Sequence, residues 1–104
     1  MFSQIKPSME QLYRLGVEKK NFPKKVTLIY KGNIPHVAFY LSHGLVEFSQ
    51  KNKVVFTVNP GNLLFSHYLL RRQRVDYDIV ITKGSSVYAF TFYDLDKLAS
   101  LNAL

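Results

Sequence analysis

The hydrophobic pattern of the chain changes from a helical to a strand-like spacing near residue 21. Between residues 8 and 20, apolar side chains recur at the spacing of one helix face, at Met9, Leu12, Tyr13 and Val17. Ser8 and Gln11 have the spacing of a capping box, which predicts the start of this helix. The segment Asn21-Phe22-Pro23 predicts its end, because the residue before a proline is disfavoured in the helical conformation.

From Lys24 to Phe92 the pattern consists of short β-type runs separated by turn residues. The runs are residues 26–30, 37–41, 45–48, 54–58, 63–70, 79–82 and 87–92. Several short strands with turn residues between them predict a sandwich or a barrel. In the last run Tyr88, Phe90 and Phe92 alternate with smaller residues, so one face of that strand is aromatic.

Asp94 is a good N-cap for a final helix that carries Leu95, Leu98 and Leu101. No repeat or linker interrupts the pattern. We therefore expect a single domain over residues 1–104, with a helix at about 8–20, strands over about 24–92 and a C-terminal helix at about 94–103.

The composition is that of a small globular domain with excess positive charge. The 104 residues are 47% hydrophobic, which suffices for a core without disulfides. Cysteine is absent, which excludes disulfides, thiolate metal sites and cysteine nucleophiles. A net charge of +7 attracts nucleic acid, anionic lipid, acidic proteins or small anions. The first residues, MFSQIKPSMEQ, have no apolar signal region, and no apolar run is long enough to span a membrane, so we expect a cytoplasmic protein.

The order of glycines and strands resembles the cyclic-nucleotide-binding domain. Gly32 follows the first strand of the pattern, Gly44 follows an aromatic-rich strand, and Gly61-Asn62 opens the strand that precedes the ligand loop in this family. The resemblance covers residues 24–100 and rests on the joint order of these glycines. It implies a mainly β jelly roll (a double-stranded β-helix) with a short N-terminal helix and a short C-terminal helix.

Family members that bind cyclic nucleotides have a phosphate-binding cassette after this Gly-Asp pair. The cassette reads approximately Phe-Gly-Glu-x-x-Leu, then a short helix, then Arg-Ala or Arg-Thr, and it holds the phosphate through backbone N–H groups and the arginine. In this chain Phe65 stands at the glycine position and Ser66 at the glutamate position. The arginine position falls near Val75 or Asp76. These departures predict that cAMP and cGMP do not bind in the usual mode.

Three closely spaced arginines, Arg71, Arg72 and Arg74, come shortly before the family's arginine position. They fit a solvated loop, an anion site or a surface for an acidic partner, and arginines of this kind also occur in cyclic-dinucleotide sites because guanidinium groups pair with phosphates. We expect His67 to be a partly buried structural residue. The candidate ligand-binding residues of an altered cassette are Gly61, Ser66, His67, Arg71, Arg72 and Arg74.

The sequence predicts neither an enzyme nor a cofactor-binding or metal-binding protein. It contains no His-x-His pair, no P-loop and no glycine-rich nucleophile elbow, and its acidic residues are scattered. Transcription regulators with the resembled fold carry a helix-turn-helix segment after the β domain, and the sequence ends at Leu104, so we expect no direct DNA reading.

Two functional hypotheses remain open from the sequence. The first is a stand-alone, non-catalytic regulatory or adaptor module that acts through contacts with a protein partner or by self-association. The alternative is a sensor of an anionic nucleotide ligand, a cyclic mono- or dinucleotide, that uses the altered arginine-bearing loop.

Overall fold

Two antiparallel sheets and three helices form the structure, a computed structural model that describes residues 2, 3 and 7–101. The elements are β1 (Phe2–Ser3), α1 (Met9–Leu15), β2 (Lys19–Phe22), β3 (Val26–Ile29), β4 (Ala38–His43), β5 (Val46–Gln50), β6 (Lys53–Val58), β7 (Asn62–Leu64), α2 (Ser66–Arg71), β8 (Asp78–Ile81), β9 (Ser85–Phe90) and α3 (Phe92–Leu101). The first sheet has the strand order β1-β7-β4-β9-β2, and the second has the order β3-β8-β5-β6. This arrangement confirms the predicted class, mainly β with short N-terminal and C-terminal helices.

The main core lies between the inner faces of the two sheets. Phe48 of β5, Ile79 and Ile81 of β8 and Val87 of β9 are fully buried there. Burying apolar surface of this kind stabilises the fold by about 25 cal/mol per Å². Because successive side chains of a strand point to opposite faces, each of these strands contributes alternate residues to this core.

A second core covers the opposite face of the first sheet. Leu12 of α1 and Leu95 and Leu98 of α3 pack there against Ala38 of β4 and Phe90 of β9. The predicted alternation along the last strand is therefore confirmed within β9, since Val87 points into the main core and Phe90 into the second.

Helix α1 is shorter than the predicted helix over residues 8–20. The capping box is present: the Gln11 N–H donates to Ser8 Oγ, and the Ser8 N–H donates to Gln11 Oε1. The helix ends at Leu15 because Gly16 takes a left-handed conformation (φ 66°) and donates its N–H to the Tyr13 carbonyl. The predicted continuation to residue 20 is wrong, because residues 19–22 instead form β2, which pairs with β9.

The predicted apolar face of α1 is confirmed for Leu12 and wrong for Met9 and Tyr13. Leu12 is buried and Leu15 packs against the same core, whereas Met9 and Tyr13 are 71% and 88% exposed. The reason is the position of α1, which rests on α3 and the first sheet through the Leu12 side of the helix.

The start of α3 differs from the prediction by one helical turn. Thr91, not Asp94, is the N-cap: Asp94 donates its N–H to Thr91 Oγ1 at 3.2 Å and accepts the Thr91 N–H at 3.0 Å. Phe92, predicted as the end of the last strand, is therefore the first helical residue. The predicted helix end near 103 lies outside the described residues.

Gly44 occupies a position where a side chain has no room. The turn between β4 and β5 packs onto Ser85, whose buried Oγ accepts the Leu45 N–H at 3.1 Å and lies 3.0 Å from Thr82 Oγ1. A Cβ at residue 44 would lie 2.6 Å from the Ser85 Cα, and Gly44 has φ 95°. Both the backbone conformation and the contact require glycine here.

We expect Gly44→Ala to lower the free energy of unfolding by about 2–5 kcal/mol, because overpacking adds to the strain of the left-handed region. Urea unfolding of the variant measures this loss. Gly84→Ala is the matched control, since Gly84 has φ 81° but nothing within 4 Å of an added Cβ. Equal losses in the two variants would contradict the role of the Ser85 contact.

Candidate functional site

Phe65 joins β7 to α2 in a backbone conformation that bulky residues rarely adopt. Its φ and ψ are 70° and 16°, and its side chain is fully buried. A non-glycine residue in this left-handed region costs about 1–3 kcal/mol. The predicted strand over residues 63–70 is therefore wrong beyond Leu64, because the chain turns at Phe65 and continues as α2.

The Phe65 ring belongs to an aromatic cluster inside the roll. Phe48 stacks on Phe56 at a centroid distance of 4.4 Å and lies 5.8 Å from Phe65. Tyr77 contacts Phe48 and Phe56 edge-on, at 5.9 and 5.4 Å, and Tyr68 contacts Phe65 at 6.0 Å. Aromatic pairs at such distances contribute about 0.5–1.5 kcal/mol each beyond area burial, which offsets the backbone strain at Phe65.

The residues predicted for the start of an altered cassette lie around this junction. Gly61 is half-buried, with φ 97°, and donates its N–H to the Leu41 carbonyl at 2.8 Å. Ser66 begins α2 and is half-buried. His67 follows it and is exposed, so the expectation of a partly buried structural histidine is wrong.

The two residues that fall near the family's arginine position differ in their burial. Val75 is 3% exposed and belongs to the main core, while Asp76 is exposed. Neither side chain carries a positive charge. The cationic groups near this position come instead from the residues before it.

The three arginines are exposed but do not all face the same way. Arg71 is the last residue of α2, and Arg72 caps that helix in the left-handed conformation (φ 54°). Arg74 donates from Nη1 to the Gly32 carbonyl at 2.7 Å. Arg72 and Arg74 line a common cleft, and Arg71 is not among its lining residues.

This cleft, the arginine cleft, has a volume of about 710 Å³, within the range of roughly 300–1,000 Å³ typical of small-molecule sites. It lies between the end of β3, the β3–β4 loop, the start of β4 and the end of α2. Its lining residues are Leu28, Ile29, Tyr30, Asn33, Ile34, Pro35, His36, Val37, Phe39, Leu69, Arg72 and Arg74. Its floor is apolar, its rim is basic, and neither aspartate nor glutamate lines it.

Backbone hydrogen bonds hold the two sides of the arginine cleft together. The Gly32 N–H donates to the Val75 carbonyl at 2.8 Å, and the Val75 N–H donates to the Asn33 carbonyl at 2.9 Å. The β3–β4 loop is thereby fixed beside the arginine segment. These contacts, with the Arg74 side-chain bond, place Arg74 at the rim of the cleft.

Sequence reasoning missed the half of the arginine cleft that comes from residues 28–39. The hydrophobic pattern places residues 31–36 in a turn between strands, with no chemistry assigned to them. The available signal was Ile34-Pro35, apolar residues inside a turn segment, since loops on the surface are ordinarily polar. Pro35 is buried and Ile34 half-buried in the structure.

Among residues 2, 3 and 7–101, no group of three or more histidine, aspartate or glutamate side chains is placed to hold a metal ion. In the same part of the chain, no helix has both the length and the apolar character that crossing a bilayer demands.

No protein-family model and no curated protein sequence matches the chain, but solved structures share its fold. The catabolite activator protein of Thermus thermophilus superposes with a TM-score of 0.72 at 16% identity, over 92% of this chain and 48% of its own. The regulatory domain of Toxoplasma gondii PKA, crystallised with cAMP, gives 0.70 at 14% identity, over 86% and 37%. The N-terminal domain of a transcriptional regulator from Streptomyces coelicolor gives 0.70 at 14% identity, over 92% and 72%.

The chain therefore has the fold of the cyclic-nucleotide-binding domains, a jelly roll flanked by helices, and the resemblance seen in the sequence is confirmed at the level of the fold. At these identities the likeness shows the fold alone. The chain spans less than half the length of the first two of these neighbours.

Replacing Phe65 separates the contribution of its ring from the strain of its backbone. We expect Phe65→Ala to lower the free energy of unfolding by about 3–5 kcal/mol, because a buried aromatic ring is lost. Phe65→Gly loses the same ring but relieves the left-handed strain, so we expect it to be about 1 kcal/mol more stable than Phe65→Ala.

Chemical denaturation of both variants measures these differences. The order of the two is the informative result, since glycine loses more backbone entropy than alanine on folding and is ordinarily the less stable of the two where the backbone is unstrained. If Phe65→Gly were the less stable variant, the left-handed conformation at residue 65 would not be strained.

Proposed function

We propose that this chain is a non-catalytic regulatory or adaptor module with the cyclic-nucleotide-binding fold, which does not bind cAMP or cGMP in the usual mode and acts through protein contacts. The observation that carries the proposal is the burial of the Phe65 ring at the cassette's glycine position, against Phe48 and Tyr68. In nucleotide-binding relatives of the resembled family, the backbone at this position approaches a phosphate. Here the protein's own ring occupies the interior beside it.

The chemistry of the neighbouring positions supports the same proposal. Ser66 replaces the carboxylate that accepts the ribose hydroxyl, and a hydroxyl is shorter and uncharged. Asp76 or Val75 replaces the arginine that pairs with the phosphate, and a carboxylate there repels an anion. Loss of a bidentate arginine pair removes one of the strongest hydrogen-bonded contacts available to a phosphate.

A role in protein contacts is supported by exposed apolar and basic surface. Met9 and Tyr13 on α1 and Phe92 and Tyr93 on α3 are largely exposed, although their helices pack against each other. Large exposed apolar side chains are frequent at interaction surfaces. The net charge of +7 and the exposed arginine segment favour an acidic partner.

The alternative function, a sensor of a cyclic mono- or dinucleotide, is favoured by a different observation. Arg72 and Arg74 line the arginine cleft instead of pointing away from it. In that case the nucleotide would bind outside the aromatic interior, and its phosphate would pair with these two guanidinium groups.

Titration with cyclic nucleotides distinguishes the two functions. We expect millimolar cAMP, cGMP or cyclic di-GMP to leave the thermal unfolding midpoint unchanged and to release no binding heat. A ligand with a micromolar dissociation constant would raise the midpoint by more than about 10 °C at that concentration. Such a rise, if lost in Arg72→Ala or Arg74→Ala, would replace the adaptor proposal by the sensor function.

The adaptor role is tested by affinity capture from the native host with the wild-type chain and a charge-reversed variant. We expect Arg71→Glu/Arg72→Glu to weaken capture of an acidic partner at least tenfold, because two attractive charges become repulsive. Lys51→Glu/Lys53→Glu is the matched control, since it makes the same charge change at the exposed β5–β6 turn. Equal capture by all three chains would contradict a role for the arginine segment.

A further inference from the structure

We propose that the arginine cleft binds a small amphipathic anion, a hydrocarbon chain or ring that carries one carboxylate or phosphate. This inference goes beyond the protein-contact role and does not depend on it. It concerns a site outside the aromatic interior, bounded by the β3–β4 loop and the end of α2. The nature of the ligand follows from the charge, the surface chemistry and the rigidity of the cleft.

The side chains that line the cleft include two permanent positive charges and no negative charge. Arg72 and Arg74 both line it, and no acidic residue does. The ion pairs within the described residues join Arg14 to Glu10 and Lys25 to Glu47, so neither cleft arginine takes part in one. An anion entering here would meet two guanidinium groups that form no ion pair within the described residues.

The guanidinium group of Arg74 is held in place before any ligand arrives. One of its N–H groups donates to the Gly32 carbonyl at 2.7 Å, and arginine has further N–H donors in the same plane. The backbone of the segment is itself fixed, because Val75 hydrogen-bonds with both Gly32 and Asn33. A donor fixed in this way loses little conformational entropy when it pairs with an anion.

The floor of the cleft provides the apolar half of the site. Phe39 and Ile29 are mostly buried parts of the main core, whereas Leu28, Val37 and Leu69 are only half-buried. Their remaining exposed carbon surface lies next to the two arginines. A ligand that covers it gains about 25 cal/mol per Å² of apolar area removed from water.

The lining favours a hydrocarbon anion over a nucleotide. Ribose hydroxyls and base amino groups are hydrogen-bond donors, which need acceptors such as carboxylates when they are buried. The cleft offers no carboxylate side chain, and its side-chain acceptors are confined to Tyr30, Asn33 and His36. A simple hydrocarbon body has no donors to satisfy, so a lipid-like or aromatic acid matches the cleft better.

Calorimetric titration of the full chain with octyl phosphate and octanoate tests the proposal, with octanol and inorganic phosphate as comparison ligands. We expect at least one of the two amphipathic anions to bind at least tenfold more tightly than octanol and inorganic phosphate. Octanol lacks the negative charge, and inorganic phosphate lacks the hydrocarbon chain. We expect Arg72→Gln and Arg74→Gln each to weaken binding about tenfold, the effect of one charge-assisted hydrogen bond.

Arg71→Gln is the matched control, because Arg71 is exposed on the same segment but does not line the cleft. We expect its affinity for octyl phosphate to equal that of the wild type. If it weakened binding as much as Arg72→Gln, non-specific attraction to the basic surface would explain the heat, and the proposal would fail. Octanol binding as tightly as the anions, or no binding of either anion at millimolar concentration, would also overturn it.

Amide chemical shifts locate the ligand without any substitution. On addition of octyl phosphate we expect changes at residues 28–39 and 69–75, with none at the β5–β6 turn. Shifts confined to the aromatic cluster around Phe48 and Phe65 would overturn the assignment to the cleft. A negative result with cAMP and cGMP bears on the function proposed above and leaves this experiment unaffected.

Discussion

The left-handed backbone at Phe65, held by the burial of its own ring, is the constraint on which the rest of the structure depends. It ends β7 and turns the chain into α2, so it sets where the arginine segment begins. It also directs the Phe65 ring into the interior of the roll, where the ring contacts Phe48 and Tyr68. A strained backbone persists only where surrounding contacts compensate for it, and here those contacts are aromatic. The same residue therefore shapes the fold and fills the space beside the cassette.

The position of the arginines follows from this turn and from a second contact. Because α2 ends at Arg71 and Arg72 closes it in a left-handed cap, the chain returns towards the β3–β4 loop. Hydrogen bonds between Val75 and the residues Gly32 and Asn33 then close the arginine cleft. The arginines that can pair with an anion thus lie on the outside of the roll, while its interior is apolar. The two features favour different proposals. The filled interior favours the adaptor role, and the basic cleft favours the binding of a small anion.

Much of the fold could be predicted from local patterns. Turn residues between short apolar runs locate β3, β4, β5, β6, β8 and β9 to within a few residues, because strand alternation and turn chemistry are properties of neighbouring residues. The capping box at Ser8 is predictable for the same reason. The errors occur where contact with a distant segment decides the conformation. Residues 19 and 20, predicted as the end of the first helix, instead pair with β9. Leu15, and not Met9 or Tyr13, accompanies Leu12 in the second core.

The sequence by itself determined the class of fold, the approximate positions of β3, β4, β5, β6, β8 and β9, the basic charge and the departures from the phosphate-binding cassette. Only the tertiary structure decided that Phe65 points inward, that Arg72 and Arg74 but not Arg71 share a cleft, and that residues 28–39 form its other side. The physical reason is that these facts depend on contacts between segments that are distant along the chain, such as Phe65 with Phe48 and Arg74 with Gly32, which no local pattern encodes.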